Sequence, residues 1–211
     1  MINMDYSIYK EYINVLERGS QQKGVLWTMC KALNNLERKT AEELLKFANI
    51  SAMPVDLSKL LRHWGIFALA ADFTKLQETD EFKEQVKNKG NILGAVAYKG
   101  DDLCIYYKHD DSIHRKRFTI AHELAHCCLD DGRLREDGTH YRFEKENDYA
   151  AEEIAANTFA GEILMPEKIV RSFLDMFTSP SIEDFARLFD VSENVARARL
   201  EVLLNKVRMG D

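Results

Sequence analysis

The feature that most constrains this chain is a pair of histidines four residues apart in an apolar segment. The segment reads His122-Glu123-Leu124-Ala125-His126 and matches the pattern H-E-x-x-H. Four residues advance an α-helix by about 400°, so the two imidazoles point within about 40° of each other and can bind one ion. Glu123 lies about 100° further around the helix, beside such an ion. The pattern predicts two zinc ligands and a general base that can deprotonate a zinc-bound water.

A catalytic zinc site needs a third protein ligand, and the sequence offers one downstream. Residues 150–161 are rich in alanine and glycine, which would allow a second helix to approach the first closely. Glu153 shares a face of that helix with Asn157, whereas Glu152 lies about 100° away. Glu153 is therefore predicted as the ligand, and Asn157 as acceptor of a hydrogen bond from a ligating histidine. The alternative is that Glu152 and Glu153 are a solvated acidic pair.

Three other side chains are candidates for stabilising a transition state. His140 and Tyr141 lie in a polar segment, residues 130–148, that is predicted to be a loop between the two helices. Either could donate a hydrogen bond to the oxyanion of a tetrahedral intermediate. Tyr149 stands one turn before Glu153 and is a third candidate. An ordinary loop position is the alternative for each.

Two β-type runs precede the H-E-x-x-H segment, residues 94–98 and 103–107, and a predicted hairpin turn joins them. A peptidase must hold an extended substrate, and peptides are often held by pairing with an exposed sheet edge. The second run is the last strand before the active helix. We therefore predict it as the edge that receives the substrate, with an interior strand as the alternative. Its residues are Leu103, Cys104, Ile105, Tyr106 and Tyr107.

Composition and charge argue against several classes of protein. The chain has 35 acidic and 29 basic residues, a net charge of -6, which disfavours non-specific binding to nucleic acid. There is no secretory signal pattern, and no run approaches the roughly 18 apolar residues of a membrane span. The cysteines at 30, 104, 127 and 128 form no disulfide pattern. We expect a cytoplasmic protein in a reducing compartment, with no membrane partner.

The C-terminal part has the outline of a helix-turn-helix, with helices at 182–189 and 193–204. The second helix carries Arg197 and Arg199, but also Glu193 and Glu201. We expect these helices to pack against the core and do not expect direct DNA binding.

Together these elements predict an α+β fold that is mostly helical, with a small antiparallel or mixed sheet. Residues 1–50 are predicted to be an N-terminal helical extension. Residues 51–178 would form a zinc metallopeptidase core, and residues 179–211 a C-terminal helical segment packed on it.

Two motifs in this order resemble a known family, the ImmA/IrrE metallopeptidases. Residues 117–126 resemble its active helix, and residues 153–160, followed by Ile163-Leu164-Met165-Pro166, resemble its second motif. The similarity covers about residues 51–205. It implies a gluzincin-like fold, zinc held by His122, His126 and Glu153, and Glu123 as base. It also implies cleavage of a repressor-type, helix-turn-helix regulator, in a family found on mobile elements and prophages or in DNA-damage responses.

The alternative function is a non-catalytic, zinc-stabilised antirepressor that sequesters a transcription factor. Glu123 favours the enzyme, because a structural zinc has no need of a base. Closed structural zinc sites also usually have four protein ligands, and the sequence offers three.

Overall fold

A computed structural model of the chain describes residues 36–99, 102–129, 139–144 and 151–209. Most of the predicted N-terminal extension, residues 1–35, lies outside these ranges, and so does Tyr149. Within them the chain has nine helices and one sheet of four strands, which confirms the α+β class. The strands are β1 (Ile66–Ala71), β2 (Ile92–Lys99), β3 (Asp102–Lys108) and β4 (Thr139–Phe143). The helices are α1 (Ala41–Phe47), α2 (Leu57–Trp64), α3 (Thr74–Gln77), α4 (Asp80–Lys89), α5 (Ile113–Leu129), α6 (Ala151–Leu164), α7 (Glu167–Met176), α8 (Ile182–Phe189) and α9 (Glu193–Met209).

Local sequence explains where helices begin and end. The side chain of Asp56 accepts a hydrogen bond from the backbone N–H of Lys59 at 2.9 Å and starts α2. Gly65 ends α2 in the left-handed conformation, at φ 71°, which glycine adopts without strain. Ser181 and Asp184 form a reciprocal capping box at the start of α8.

The sheet is mixed, with strand order β1-β3-β2-β4. β1 runs parallel to β3, and β2 runs antiparallel to both β3 and β4. β3 is therefore an interior strand, and the prediction that Leu103, Cys104, Ile105, Tyr106 and Tyr107 form the substrate edge is wrong. The reason is β1, which pairs along β3 from Ile66 opposite Leu103 to Ala71 opposite Lys108. Among the described strands, the edges are β1 and β4.

β4 is a second difference from the sequence prediction, which treated residues 130–148 as a polar loop. Residues 139–143 are a strand because they pair with β2, with Ala97 opposite Thr139 and Ala95 opposite Tyr141. This pairing joins segments far apart in the chain, so the local polarity of residues 139–143 did not reveal it.

Both faces of the sheet are covered. On the first face, Leu103 and Ile105 of β3 belong to the main core with Ile120 and Leu124 of α5. On the second face, Cys104 and Tyr106 belong to a smaller core with Phe82 of α4 and with Phe143. A strand buried on both faces reads as an unbroken apolar run, which is the pattern of β3.

The C-terminal helices contact the rest of the chain through buried side chains. The ring of Phe185 lies 5.1 Å from that of Phe173 in α7. Arg199, only 4% exposed, donates a hydrogen bond to the carbonyl of Met165 at 3.2 Å. Arg117 of α5 donates to the carbonyl of Asp190, between α8 and α9. A buried Arg199 cannot reach DNA, which removes one of the two arginines of the helix-turn-helix outline.

No helix within the described ranges is both long and apolar enough to cross a bilayer. The cysteines in those ranges, Cys104, Cys127 and Cys128, are buried. Burial raises the pKa of Cys128 to about 12, which makes that thiol a poor nucleophile.

Candidate metal centre

Two helices build the site. From Thr119 to Cys128, α5 is buried on nearly every side, since it packs against α6, β2 and β3. Where α5 meets α6 the interface contains small residues. Those with no exposed surface are Ala121 and Ala125 on α5, and Ala156 and Ala160 on α6. Small side chains let the helix axes approach closely, and polar groups on the two helices are thereby brought within bonding distance.

His122, His126 and Glu153 each contribute one atom to a tight cluster. The Nε2 atoms of the two histidines are 3.0 Å apart. Oε2 of Glu153 lies 3.2 Å from Nε2 of His122, and its Oε1 lies 3.3 Å from Nε2 of His126. Ligands on a tetrahedral zinc with bonds of about 2.0–2.1 Å stand roughly 3.3–3.4 Å apart. The spacing of the cluster fits such an ion.

The tautomer of His122 also fits a cation. Its Nδ1 lies 2.9 Å from Oδ1 of Asn157, and because that oxygen only accepts, Nδ1 carries the proton. Burial lowers the pKa of His122, so the ring is neutral and Nε2 presents a lone pair. That lone pair faces His126 and Glu153. A metal ion satisfies this arrangement better than hydrogen bonds.

Glu153 is suited to be an anionic ligand. It is 8% exposed, so a charge there needs compensation. Its contacts with His122 and then His126 lower its pKa well below the ordinary value, despite burial. The carboxylate is therefore ionised in neutral solution. Asn157, one helical turn further along α6, holds the ring of His122 from behind, as predicted.

Glu123 is fully buried beside this cluster, and neither carboxylate oxygen has a hydrogen-bond partner among the described residues. Nδ1 of His140 lies 3.9 Å from Oε2, too far for a hydrogen bond but near enough for charge interaction. Burial raises the pKa of Glu123, but His140 and the imidazoles of His122 and His126 lower it more, so it lies below the ordinary value. Glu123 is therefore a buried, ionised proton acceptor that has no hydrogen-bond partner among the described residues.

A glycine makes room for that carboxylate, and sequence reasoning did not identify it. A Cβ added to Gly94 would stand 2.7 Å from Oε1 of Glu123 and 2.7 Å from Cγ2 of Thr119. A β-bulge between Ile92 and Gly94 accompanies this close approach. The available signal was a glycine inside a strand, which often marks a place where another group comes close.

β4 brings one of the remaining candidates, His140, to the site and directs another, Tyr141, away from it. The ring of His140 lies 4.5 Å from that of His126. Tyr141 points to the opposite face, because successive strand residues alternate, and its ring contacts Phe82 at 4.9 Å. The prediction that Tyr141 faces the site is therefore corrected. Arg142, which sequence reasoning did not single out, is on the same face as His140.

The residues of this site lie within a match to a known protein family. The peptidase M78 family model, described as the IrrE N-terminal-like domain, matches residues 82–201, more than half of the chain. The chain belongs to this family. The match runs from α4 into α9 and includes both predicted motifs, so the resemblance to ImmA/IrrE proteins is confirmed.

One curated relative is the radiation response metalloprotease IrrE of Deinococcus radiodurans. It is 35% identical to this chain over 86 residues. The matched segment covers 39% of this chain and 26% of the relative, so the chain spans about a quarter of that protein's length.

Proposed function

We propose that this chain is a zinc-dependent metallopeptidase of gluzincin type that hydrolyses a peptide bond in a protein substrate. In this proposal His122, His126 and Glu153 hold the zinc and Glu123 is the general base. The observation that carries it is the convergence of three donor atoms within 4.8 Å of one another, beside a buried carboxylate with no hydrogen-bond partner.

The donor set supports zinc and catalysis. Two imidazoles and one carboxylate are the ligands of several catalytic zinc sites, which keep a fourth position for water or substrate. Among the described residues the cluster has three protein donors, whereas closed structural sites usually have four. Both points favour the enzyme over an antirepressor that only sequesters its partner.

Each side chain has a role that follows from its position. Zinc, when bound, supplies Lewis acidity, which polarises a carbonyl and makes a water more acidic. Glu123 accepts the proton of the attacking water and passes it to the leaving amine. In this proposal His140, which lies near Glu123 and His126, donates a hydrogen bond to the oxyanion. Asn157 orients His122 through its Nδ1 proton.

The substrate edge is reassigned to β4. An extended peptide that pairs with a sheet edge needs unpaired backbone groups. β4 pairs with β2 on one side, and among the described strands nothing pairs with its other side. His140 lies on this strand, so a peptide added there would run beside the metal cluster.

We propose a repressor-type, helix-turn-helix regulator as the substrate, in the cytoplasm of a cell that carries a prophage or another mobile element. This rests on the resemblance of the two motifs to ImmA/IrrE proteins. The four cysteines of the sequence form no disulfide pattern, which supports a reducing compartment. Direct DNA binding is not part of the proposal, since Arg199 is buried.

The test combines metal analysis with co-expression. We expect one zinc per chain in protein purified without a histidine tag, and loss of that zinc in His122→Ala. Wild type and Glu123→Gln are then co-expressed with helix-turn-helix repressors encoded nearby. The proposal expects repressor fragments with wild type and a stable complex with Glu123→Gln. If both proteins form the complex and neither produces fragments, the peptidase proposal is wrong and the antirepressor function takes its place.

A further inference from the structure

Arg142 lies on the face of the sheet that carries the site. It pairs in register with Gly94, and residues opposite each other on antiparallel strands point to the same face. That face is the one on which a Cβ at Gly94 would meet Glu123. Arg142 comes two residues after His140 on β4, and both side chains therefore point to the same side of the sheet.

The guanidinium of Arg142 lies over an aromatic ring. Cζ of Arg142 lies 6.0 Å from the centroid of the Phe118 ring, and that ring lies 6.1 Å from the His122 ring. A guanidinium within about 6 Å of a ring centroid is attracted to the face of that ring.

Arg142 is half-buried, and in the part of the chain that the structure describes no carboxylate pairs with it. The two acidic groups of the site do not serve this purpose. Glu153 contacts the two histidines, and Glu123 is packed against Gly94. A half-buried guanidinium that has lost part of its hydration gains most from a carboxylate, which it can bind through two parallel hydrogen bonds.

We propose that Arg142 forms a subsite for a carboxylate of the substrate, from an Asp or Glu side chain close to the scissile bond. Its position on the edge strand β4 places it along the path of a peptide that pairs with that strand. This inference rests on the proposed function, because it assigns the substrate preference of the same site. It predicts a protease that selects acidic segments.

Peptide binding tests the subsite separately from cleavage. Zinc-loaded Glu123→Gln protein is used to select peptides from a randomised library with acetylated and amidated ends. We expect Asp and Glu to be enriched at one position. The double variant Glu123→Gln/Arg142→Gln should lose that enrichment, and Glu123→Gln/Arg142→Glu should shift it toward Lys and Arg. No acidic enrichment, or enrichment that survives Arg142→Gln, overturns the proposal.

Paired peptides then measure the effect. A selected peptide and its Glu→Gln counterpart should differ by about tenfold in affinity for Glu123→Gln protein and should bind equally once Arg142→Gln is added. A free C-terminal carboxylate is the other source of the same chemistry. If amidating the C-terminus removes binding while Glu→Gln does not, the side-chain assignment is wrong.

Two controls separate the subsite from folding and from catalysis. Arg142→Gln should bind one zinc and melt at the wild-type temperature, and Arg187→Gln, whose side chain is 80% exposed, should keep the acidic preference. Wild type should cleave the selected peptides. If it binds them through Arg142 without cleaving them, the proposed peptidase activity fails while the subsite stands. If Arg142→Gln slows cleavage of the Glu and Gln peptides equally, Arg142 stabilises the oxyanion and the subsite is overturned.

Discussion

The two faces of the sheet differ in what they bury. The first face holds the site, with Glu123 and His122 buried and Arg142 on the same face. The second face holds an apolar cluster that includes Phe82 and Phe143. The same strands supply both faces through alternate residues. Buried polar groups reduce the free energy of unfolding unless they are paired. We infer that the apolar cluster of the second face compensates for the polar groups that the site buries on the first face.

The largest effect should come from a substitution in a strand that contributes residues to both faces of the sheet. Ile105→Pro in β3 removes a backbone donor from an interior strand whose neighbours are β1 and β2. We expect the protein to lose its cooperative thermal transition, measured by circular dichroism or calorimetry. A folded, zinc-binding Ile105→Pro protein would contradict the interior position of β3.

The next largest effect should be confined to the first face. Glu123→Gln keeps the shape of the side chain but cannot take a proton, so we expect kcat to fall about 10²- to 10⁴-fold. Zinc content and melting temperature should stay near wild type, because Glu123 is not among the three clustered donors. Cleavage assays on a selected peptide give kcat, and wild-type turnover in this variant would remove Glu123 as the base.

Gly94→Ala tests whether the first face depends on the space that a glycine leaves. The added Cβ would stand 2.7 Å from Oε1 of Glu123, so the carboxylate must move. A displacement near 1 Å can reduce catalysis up to about 100-fold, and we expect a loss of that order in kcat with little change in KM. Gly161→Ala is the matched control, since its Cβ would meet only Cδ of Arg199, at 3.4 Å. Equal kcat in both variants would contradict the positioning role.

Asn157 tests whether zinc affinity on the first face depends on the hydrogen bond that orients His122. Asn157→Ala removes the acceptor for Nδ1 of His122, and we expect zinc affinity to fall about 10- to 100-fold, measured by competition with a chelator. Asn157→Asp keeps an acceptor oxygen and should restore most of the affinity. Unchanged affinity in the alanine variant would show that packing alone orients His122.

The smallest effect should come from the second face. Phe82→Leu removes the ring that contacts Tyr141 and should reduce the free energy of unfolding by about 1 kcal/mol. Chemical denaturation measures this change. We expect kcat and zinc affinity to stay at wild-type values, and a large loss of either would show that the two faces are coupled.

The two helices that carry the site were the most predictable parts of the fold. The predicted helix 117–129 corresponds to Ile113–Leu129, and the predicted helix 150–164 to Ala151–Leu164. Both are long segments whose apolar and small residues recur with helical spacing, so local geometry is enough to recognise them. The phase of Glu153 and Asn157 on α6 followed from the same geometry, and the structure brings both to His122.

The sheet was much less predictable. The apolar run of β3 was read as an edge, although burial on both faces is what such a run indicates. β4 was missed because residues 139–143 are polar and become a strand only by pairing with β2. Gly94 and Arg142 were missed for the same reason, since each matters only because of the residue opposite it.

The sequence by itself determined which residues share a face of one helix, because the turn angle of the backbone relates residues three or four positions apart. That includes His122 with His126, and Glu153 with Asn157. Only the tertiary structure decided which strand lies at the edge, which face His140 and Tyr141 take, and that Gly94 makes room for Glu123. Those facts depend on contacts between segments that are distant along the chain. Such contacts form only where the burial of both surfaces outweighs the entropy lost when the intervening loop closes.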